Sequence, residues 1–256
     1  MFTTAIVRAP GPNFADGLTT FQGGRPDYSK ALAQHEMYCA ALAQCGVRVI
    51  RLEPDLAHPD SAFVEDVAVA TSRFAVITRP GADSRREEVK GIREPIERLF
   101  GKIHEIQSPG TLDGGDVCQA DDHFLIGVSQ RTNQEGAEQL AAILARGAYS
   151  STLVDIRKTQ GALHLKSEIA YVGERKLVVS QAMATRAEFR DYELLRVAPE
   201  ETYAANCVRV NDCVLVAEGF SRVARMLAGE GLKILVIDVS EFRKMDGGLS
   251  CLSLRF

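Results

Sequence analysis

The chain has no tryptophan among its 256 residues and only 9 prolines, and no Pro/Ser-rich or charge-block linker interrupts it. A length that would allow one or two domains is therefore read as a single domain over residues 1–256. Basic residues are not in surplus: 30 Lys and Arg stand against 34 Asp and Glu, a formal net charge of -4. Phosphate recognition needs a dense cationic field, so a general nucleic-acid binder is excluded. No apolar run is long enough to span a bilayer. Met1 leads directly into the strand-like Phe2-Thr3-Thr4-Ala5-Ile6-Val7, without a basic leader pattern, which sets the cytoplasm as the expected compartment. The six cysteines form no CxxC pair and no ligand spacing, so neither a disulfide framework nor a zinc ribbon is supported. The Gly-rich phosphate loop of dinucleotide binders is missing too. What remains is a globular protein with a small-molecule partner.

What is present is a repeat. With 46% hydrophobic and 25% charged residues the chain can bury a large core, and it does so in copies of one pattern: two short strands, an amphipathic helix, then another strand. The clearest copy has strands at 66–70 and 74–78, a helix over 84–99 that Pro95 is expected to kink, and a strand at 103–106. A second has strands at 116–118 and 124–126, a helix from about 132 and a strand at 152–154. The third places strands at 170–172, 177–179 and 194–197 around a short helix over 183–189. The fourth has strands at 207–210, 214–216 and 232–236 with a helix over 221–228. The strand-like tail 250–254, joined to an N-terminal strand, a helix over 29–45 ended by Gly46 and a strand at 47–50, makes a fifth. A period of about 45 to 50 residues with both termini completing the last unit predicts α/β architecture: a five-bladed α/β propeller of ββαβ units with pseudo-fivefold symmetry. The competing open α/β sheet should alternate single strands with helices, which this pattern does not do.

In such an array, one position of each unit faces one common region. At or just before the first strand of successive units stand Glu65 with Asp66, the run Asp113-Gly114-Gly115-Asp116, His164 in the strand-like Leu163-His164-Leu165, Asn206 and Cys251. Each is unremarkable alone. A lone histidine is more often structural, the Asp-Gly-Gly-Asp run reads first as a turn, and Cys251 reads equally as a packed core thiol. Cys39, Cys118 and Cys213 are read as buried small hydrophobes. Brought together, however, acids, an imidazole and a thiol suit nucleophilic catalysis on a cationic substrate. Arg85 and Arg131 recur between the second strand and the helix of their units, where the helix dipole disfavours a cation by about 0.3 to 1 kcal/mol. Their guanidinium groups suit a substrate carboxylate, whereas Arg86 better fits a solvated surface residue. The turn-rich stretch 9–20 is long for a connector and suggests a lid.

The phrases Phe63-Val64-Glu65-Asp66, Arg79-Pro80-Gly81-Ala82 with Ser84-Arg85-Arg86, Leu112-Asp113-Gly114-Gly115-Asp116, Arg131-Thr132-Asn133, Leu163-His164-Leu165-Lys166, Ala204-Ala205-Asn206-Cys207 and Asp246-Gly247-Gly248-Leu249-Ser250-Cys251 resemble the dimethylarginine dimethylaminohydrolases, end to end. The resemblance implies the propeller of the guanidino-group-modifying enzymes (the pentein fold), hydrolysis of asymmetric dimethylarginine or monomethylarginine to citrulline and an amine, no cofactor, no metal, and a homodimer. It implies Cys251 as nucleophile, His164 as general acid/base and Asp113 as the carboxylate orienting it. It further implies that Glu65 and Asp66 bind the guanidinium, Asp60 the α-amino group, and Arg85 with Arg131 the α-carboxylate. Leu18 would close over the substrate, Phe63 would line its pocket, and backbone near Met245 and Ser250 would touch it. Three other readings stand beside this one: an arginine deiminase acting on unmethylated arginine, a non-catalytic methylarginine binder, and a thiol-based redox or zinc-buffering protein.

Overall fold

In the computed structural model, which describes residues 1–256, β1 (Thr4–Arg8) is buried along its whole length. α1 (Tyr28–Gln44) starts where the Asp27 side chain accepts the Lys30 N–H at 2.7 Å, an N-cap worth about 1 kcal/mol. Gly46 ends it at φ +81°, a left-handed conformation that glycine adopts without strain. β2 (Arg48–Leu52) returns parallel to β1. β3 (Ala68–Ala70) and β4 (Ala75–Ile77) then pair antiparallel, and α2 (Val89–Leu99), with Pro95 inside it, leads to β5 (Ile103–Glu105), parallel to β4. β6 (Val117–Ala120), β7 (His123–Val128), α3 (Gln134–Arg146) and β8 (Ser150–Asp155) repeat this order.

The third copy supplies β9 (Ile169–Gly173), β10 (Lys176–Val179) and β11 (Glu193–Arg196). The helix expected over 183–189 is absent and only a 3-10 turn, Ala187–Phe189, is formed. Its buried anchors, Met183 and Phe189, are six positions apart, too few and too far apart to make a helical face. β12 (Val208–Val210), β13 (Cys213–Ala217), α4 (Ser221–Gly229) and β14 (Lys233–Ile237) restore the full pattern. After the short α5 (Ser240–Arg243), β15 (Leu254–Arg255) pairs antiparallel with β1, Ala5 opposite Arg255. The two chain ends thus complete one sheet, as the repeat required.

The fold is therefore α/β with five three-stranded sheets, each having a central strand between one antiparallel and one parallel neighbour. Burial follows that order. Central strands β1, β4 and β13 are wholly buried, whereas the outer parallel strands β2, β5 and β14 are mostly not. The chain divides into two compact units: Met1–Val64 with Asn206–Phe256, which holds two sheets, and Glu65–Ala205, which holds three. The three-sheet unit has cores around Phe74, Phe124 and Leu140, and around Leu125, Leu177 and Phe189; each such side chain contributes about 1.5 to 3 kcal/mol when fully buried. The two-sheet unit stacks Phe14, Phe63 and Phe242 at centroid distances of 5.2 to 6.3 Å. Cys39, Cys118 and Cys213 are buried, as the sequence suggested. No helix is long and apolar enough to cross a membrane.

Candidate active site

The Glu65–Ala205 unit gathers an acid-rich cluster around one imidazole. The Asp113-Gly114-Gly115-Asp116 run is the expected turn, a 3-10 turn over Gly114–Asp116, and its glycines let three segments meet. A Cβ on Gly114 would lie 2.0 Å from the Glu65 carbonyl oxygen, and one on Gly115 would lie 2.8 Å from both Asp66 Oδ1 and His164 Nδ1. His164 Nε2 meets Asp113 Oδ2 at 3.0 Å, while Asp113 Oδ1 accepts the Gly81 N–H at 2.8 Å. Asp66 Oδ1 accepts the Gly115 N–H at 2.8 Å and its Oδ2 pairs with Arg85 Nη1 at 2.6 Å. Arg85, 5% exposed, turns Nε and Nη2 to Glu88 at 3.0 and 2.9 Å. Lys166 Nζ sits 2.6 Å from Glu65 Oε1.

Electrostatics sets the protonation of this cluster. Burial alone would lower the pKa of His164, but the carboxylates of Asp66, Asp113 and Asp116 outweigh it and push the imidazole up to about 9, which makes it an imidazolium at neutral pH. Burial raises Asp66, yet the charges of His164 and Arg85 hold it below the usual carboxylate range. Asp66, Asp113 and His164 each offer a ligand atom within 4.8 Å of the others. That set could hold a cation, but Arg85 already supplies the positive charge that Asp66 demands, and the geometry serves to clamp the imidazole.

The other unit holds the thiol and the turn-rich stretch. Asp60 accepts the Leu18 N–H with both oxygens, at 3.0 and 3.2 Å. Thr19 Oγ1 donates to the Lys244 carbonyl at 2.8 Å and the Thr20 N–H to Asp246 Oδ2 at 2.5 Å. Stretch 9–20 is thereby tied at Leu18, Thr19 and Thr20, with the Leu18 side chain exposed. Met245 Cε faces Gly17, and Phe63 packs so closely on Gly247 that a Cβ there would lie 2.2 Å from the ring. Cys251, half-buried, lies in a 3-10 turn, Ser250–Leu252. Asn206 holds that turn, its Nδ2 donating to Ser250 Oγ at 3.0 Å and its Oδ1 accepting the Ser250 N–H at 2.9 Å.

Four expected strand positions in the site are corrected. Asp116 closes the 3-10 turn Gly114–Asp116, with β6 starting at Val117. Asp66 lies in a 3-10 turn, Val64–Val67, with β3 starting at Ala68. His164 is extended but precedes a 3-10 turn, Leu165–Ser167, with β9 starting at Ile169. Cys251 precedes β15 and does not belong to it. Backbone groups that a strand would pair are taken by other partners: Thr78 Oγ1 donates to the Asp66 carbonyl at 2.6 Å, Asp116 accepts the Leu165 N–H at 2.8 Å, and the Cys251 N–H goes to the Gly248 carbonyl at 3.2 Å. Within the three-sheet unit the structure brings together Glu65, Asp66, Asp113, His164 and Arg85. Arg131 stands beside them through Gly81, whose Cβ would lie 2.1 Å from the Arg131 carbonyl, and its Nη1 is buried without a partner. Arg86, partly exposed, pairs with Asp83. Sequence reasoning gave no role to Glu88, Lys166, Ser129 or Thr132; Lys166 and Thr132 were visible only as neighbours of His164 and Arg131.

Fold and site together define a class, a five-sheet α/β protein with a buried aspartate–histidine pair, and the arginine deiminase family model matches residues 91–208. Full-length relatives narrow that class. The N(G),N(G)-dimethylarginine dimethylaminohydrolase of Pseudomonas aeruginosa is 45% identical over 257 residues, covering 100% of both chains. That enzyme with a cysteine-to-serine substitution, solved with citrulline, superposes with a TM-score of 0.97 at 44% identity over 100% of both chains. A dimethylarginine dimethylaminohydrolase with a histidine-to-glycine substitution, solved as an adduct with S-methyl-L-thiocitrulline, gives the same TM-score, identity and coverage. The chain belongs to the dimethylarginine dimethylaminohydrolase family.

Proposed function

We propose that the protein hydrolyses Nω-methylated arginines, asymmetric dimethylarginine and monomethylarginine, to citrulline and dimethylamine or methylamine. The observation that carries this is the buried Asp113–His164 pair with its raised imidazole, in a chain that keeps a cysteine at Cys251 and a full-length likeness to enzymes studied as cysteine and histidine variants with citrulline and a thiocitrulline. The Cys251 thiolate attacks the guanidinium carbon and the C–S bond forms. The His164 imidazolium, oriented by Asp113, gives its proton to the departing amine as the C–N bond breaks. Water then adds to the thiouronium carbon, giving one proton to the imidazole; the C–S bond breaks, the thiolate leaves, and the water's second proton passes to solvent as citrulline forms.

Glu65 and Asp66 hold the guanidinium, Asp60 the α-amino group, and Arg131 with Arg85 the α-carboxylate. The unpartnered Nη1 of Arg131 supports its share, while Arg85 also balances Asp66 and Glu88. Leu18 covers the substrate from the lid, Phe63 lines the pocket, and backbone at Met245 and Ser250 completes it. The chain acts as one catalytic domain over residues 1–256, in the cytoplasm and as a homodimer. The match of the arginine deiminase model favours one second reading, attack on unmethylated arginine. The test incubates purified protein with asymmetric dimethylarginine, monomethylarginine and arginine separately and quantifies citrulline against Cys251→Ser. Citrulline from the methylated forms, lost in the variant, is expected; citrulline from arginine alone would select the deiminase, and none from any would leave only a binding role.

A further inference from the structure

Asp116 ends the Gly114–Asp116 turn, is completely buried and has been given no contact with substrate or with a reacting side chain. Its contacts nevertheless converge on the groups that do. Oδ1 accepts the Leu165 N–H at 2.8 Å, the amide that follows His164. Oδ2 accepts two hydroxyls, Ser129 Oγ and Thr132 Oγ1, each at 2.7 Å. Thr132 Oγ1 in turn accepts the Asp113 N–H at 3.1 Å. One carboxylate thus fixes the backbone at His164 directly and that at Asp113 through one hydroxyl, and those residues carry the two ends of the 3.0 Å Nε2···Oδ2 contact.

The direction of these bonds is dictated by the backbone. Ser129 Oγ already accepts the Arg131 and Thr132 N–H groups at 2.9 and 3.0 Å, which occupies both of its lone pairs. Its single proton, like that of Thr132, is left to point at Asp116 Oδ2, so the position demands an acceptor and an amide N–H there would face a donor. The carboxylate is held at a cost, because burial pushes Asp116 up to about 6 against the pull of His164 and of its three donors. Gly127 makes room for it, since a Cβ there would lie 2.8 Å from Oδ1.

We infer that Asp116 is a positioning residue for the hydrolysis, a buried acceptor that sets the His164–Asp113 geometry through Leu165 N–H and the Thr132 hydroxyl. The inference rests on the hydrolase reading, but its test separates the two. Thr132→Val removes the relay at nearly constant volume, Thr132→Ser restores it, and Asp116→Asn reverses one donor. Turnover of dimethylarginine is measured together with the His164 ring resonances in protein labelled with ¹⁵N-histidine. Thr132→Val and Asp116→Asn are expected to lose about 30- to 100-fold in kcat with KM within about twofold, while the Nε2–H resonance moves away from its Asp113-bonded position. Thr132→Ser should return both to near wild type. If the wild type fails to turn over, the hydrolase reading falls and the resonance alone decides the positioning role. An unchanged resonance with kcat within twofold of wild type in both variants would overturn it. So would the failure of both variants to fold, which would make the cluster a folding element.

Discussion

Each of the two compact units buries a histidine, and the two are pushed in opposite directions. His35, on α1, is 1% exposed; burial, offset only in part by Glu36 and supplemented by Arg51, takes it down to about 4. Its neighbours are Cys39 at 3.7 Å and the ring of Phe242. His164 is buried as well, but three carboxylates take it up to about 9. Burial alone therefore does not decide the charge of a histidine; the acids around it do. The division runs through both units. Around Cys251 the braces are amide, hydroxyl and guanidinium groups, Asn206 on Ser250, Tyr38 on the Leu249 carbonyl and Ser253, and Arg255 on the Ser250 and Ser253 carbonyls, whereas around His164 they are carboxylates.

The largest expected effect tests that contrast directly. Removing general acid/base catalysis costs typically 10²- to 10⁴-fold, so His164→Gln should lower kcat by on the order of 10³-fold, and His35→Gln should leave it within about threefold. The same pair predicts the pH dependence of stability. Between 6.5 and about 9 the folded state holds a proton on His164 that the unfolded chain releases, so its contribution is full below 6.5 and is lost as pH rises through about 9. For His35 the sign reverses: its contribution is present above 6.5 and is lost as pH falls through about 4. Chemical denaturation from pH 4 to 10, with each histidine replaced in turn, should remove one slope at a time. If the loss of His164 left the alkaline slope intact, the carboxylate cluster would not be its source.

The five-sheet pattern was legible in the sequence because paired short strands, turn residues and an amphipathic helix recur, and because β15 could be seen to lack a partner until joined to β1. The candidate site was legible for a related reason: recurrence put Asp66, Asp113 and His164 at one repeat position, although no local signal singled out any of them. What could not be read were interactions between residues far apart in the chain. Asp116 takes the Leu165 amide from 49 residues away, and Asp66 takes the Gly115 amide from the same distance. The first of those bonds replaces strand pairing where the alternating Leu163-His164-Leu165 suggested it. Glu88 was invisible as a functional neighbour, because its role depends on Arg85 folding back over a 3-10 turn, Asp83–Glu88, where a helix was expected.

That buried triad gives the next effect. Arg85→Met would remove the buried cation that Asp66 and Glu88 share, and breaking such a network costs about 3 to 5 kcal/mol. Urea denaturation at pH 7 should register it. Lys30, half exposed and paired with Glu241 in the other unit, is the control: Lys30→Met should leave the midpoint nearly unchanged, because the Lys30 charge is solvated and Lys244 still neutralises Glu241 at 2.7 Å. Equal losses from the two variants would remove the distinction between a fully buried ion network and a solvent-facing one.

The smallest effect concerns Asn206, the neutral brace on the turn that carries Cys251. Asn206→Ala removes two hydrogen bonds to Ser250, and at about 1 kcal/mol each the loss of stability should stay below that of Arg85→Met. The turn carrying Cys251 would loosen, so kcat should fall by about tenfold, the cost of a modest misplacement. Its pH profile should not move, because no charge near His164 has changed. That last reading is the discriminating one. A displaced alkaline limb in Asn206→Ala would mean that the neutral brace also feeds the titration of the imidazole, and the two regions would then have to be treated as one electrostatic system.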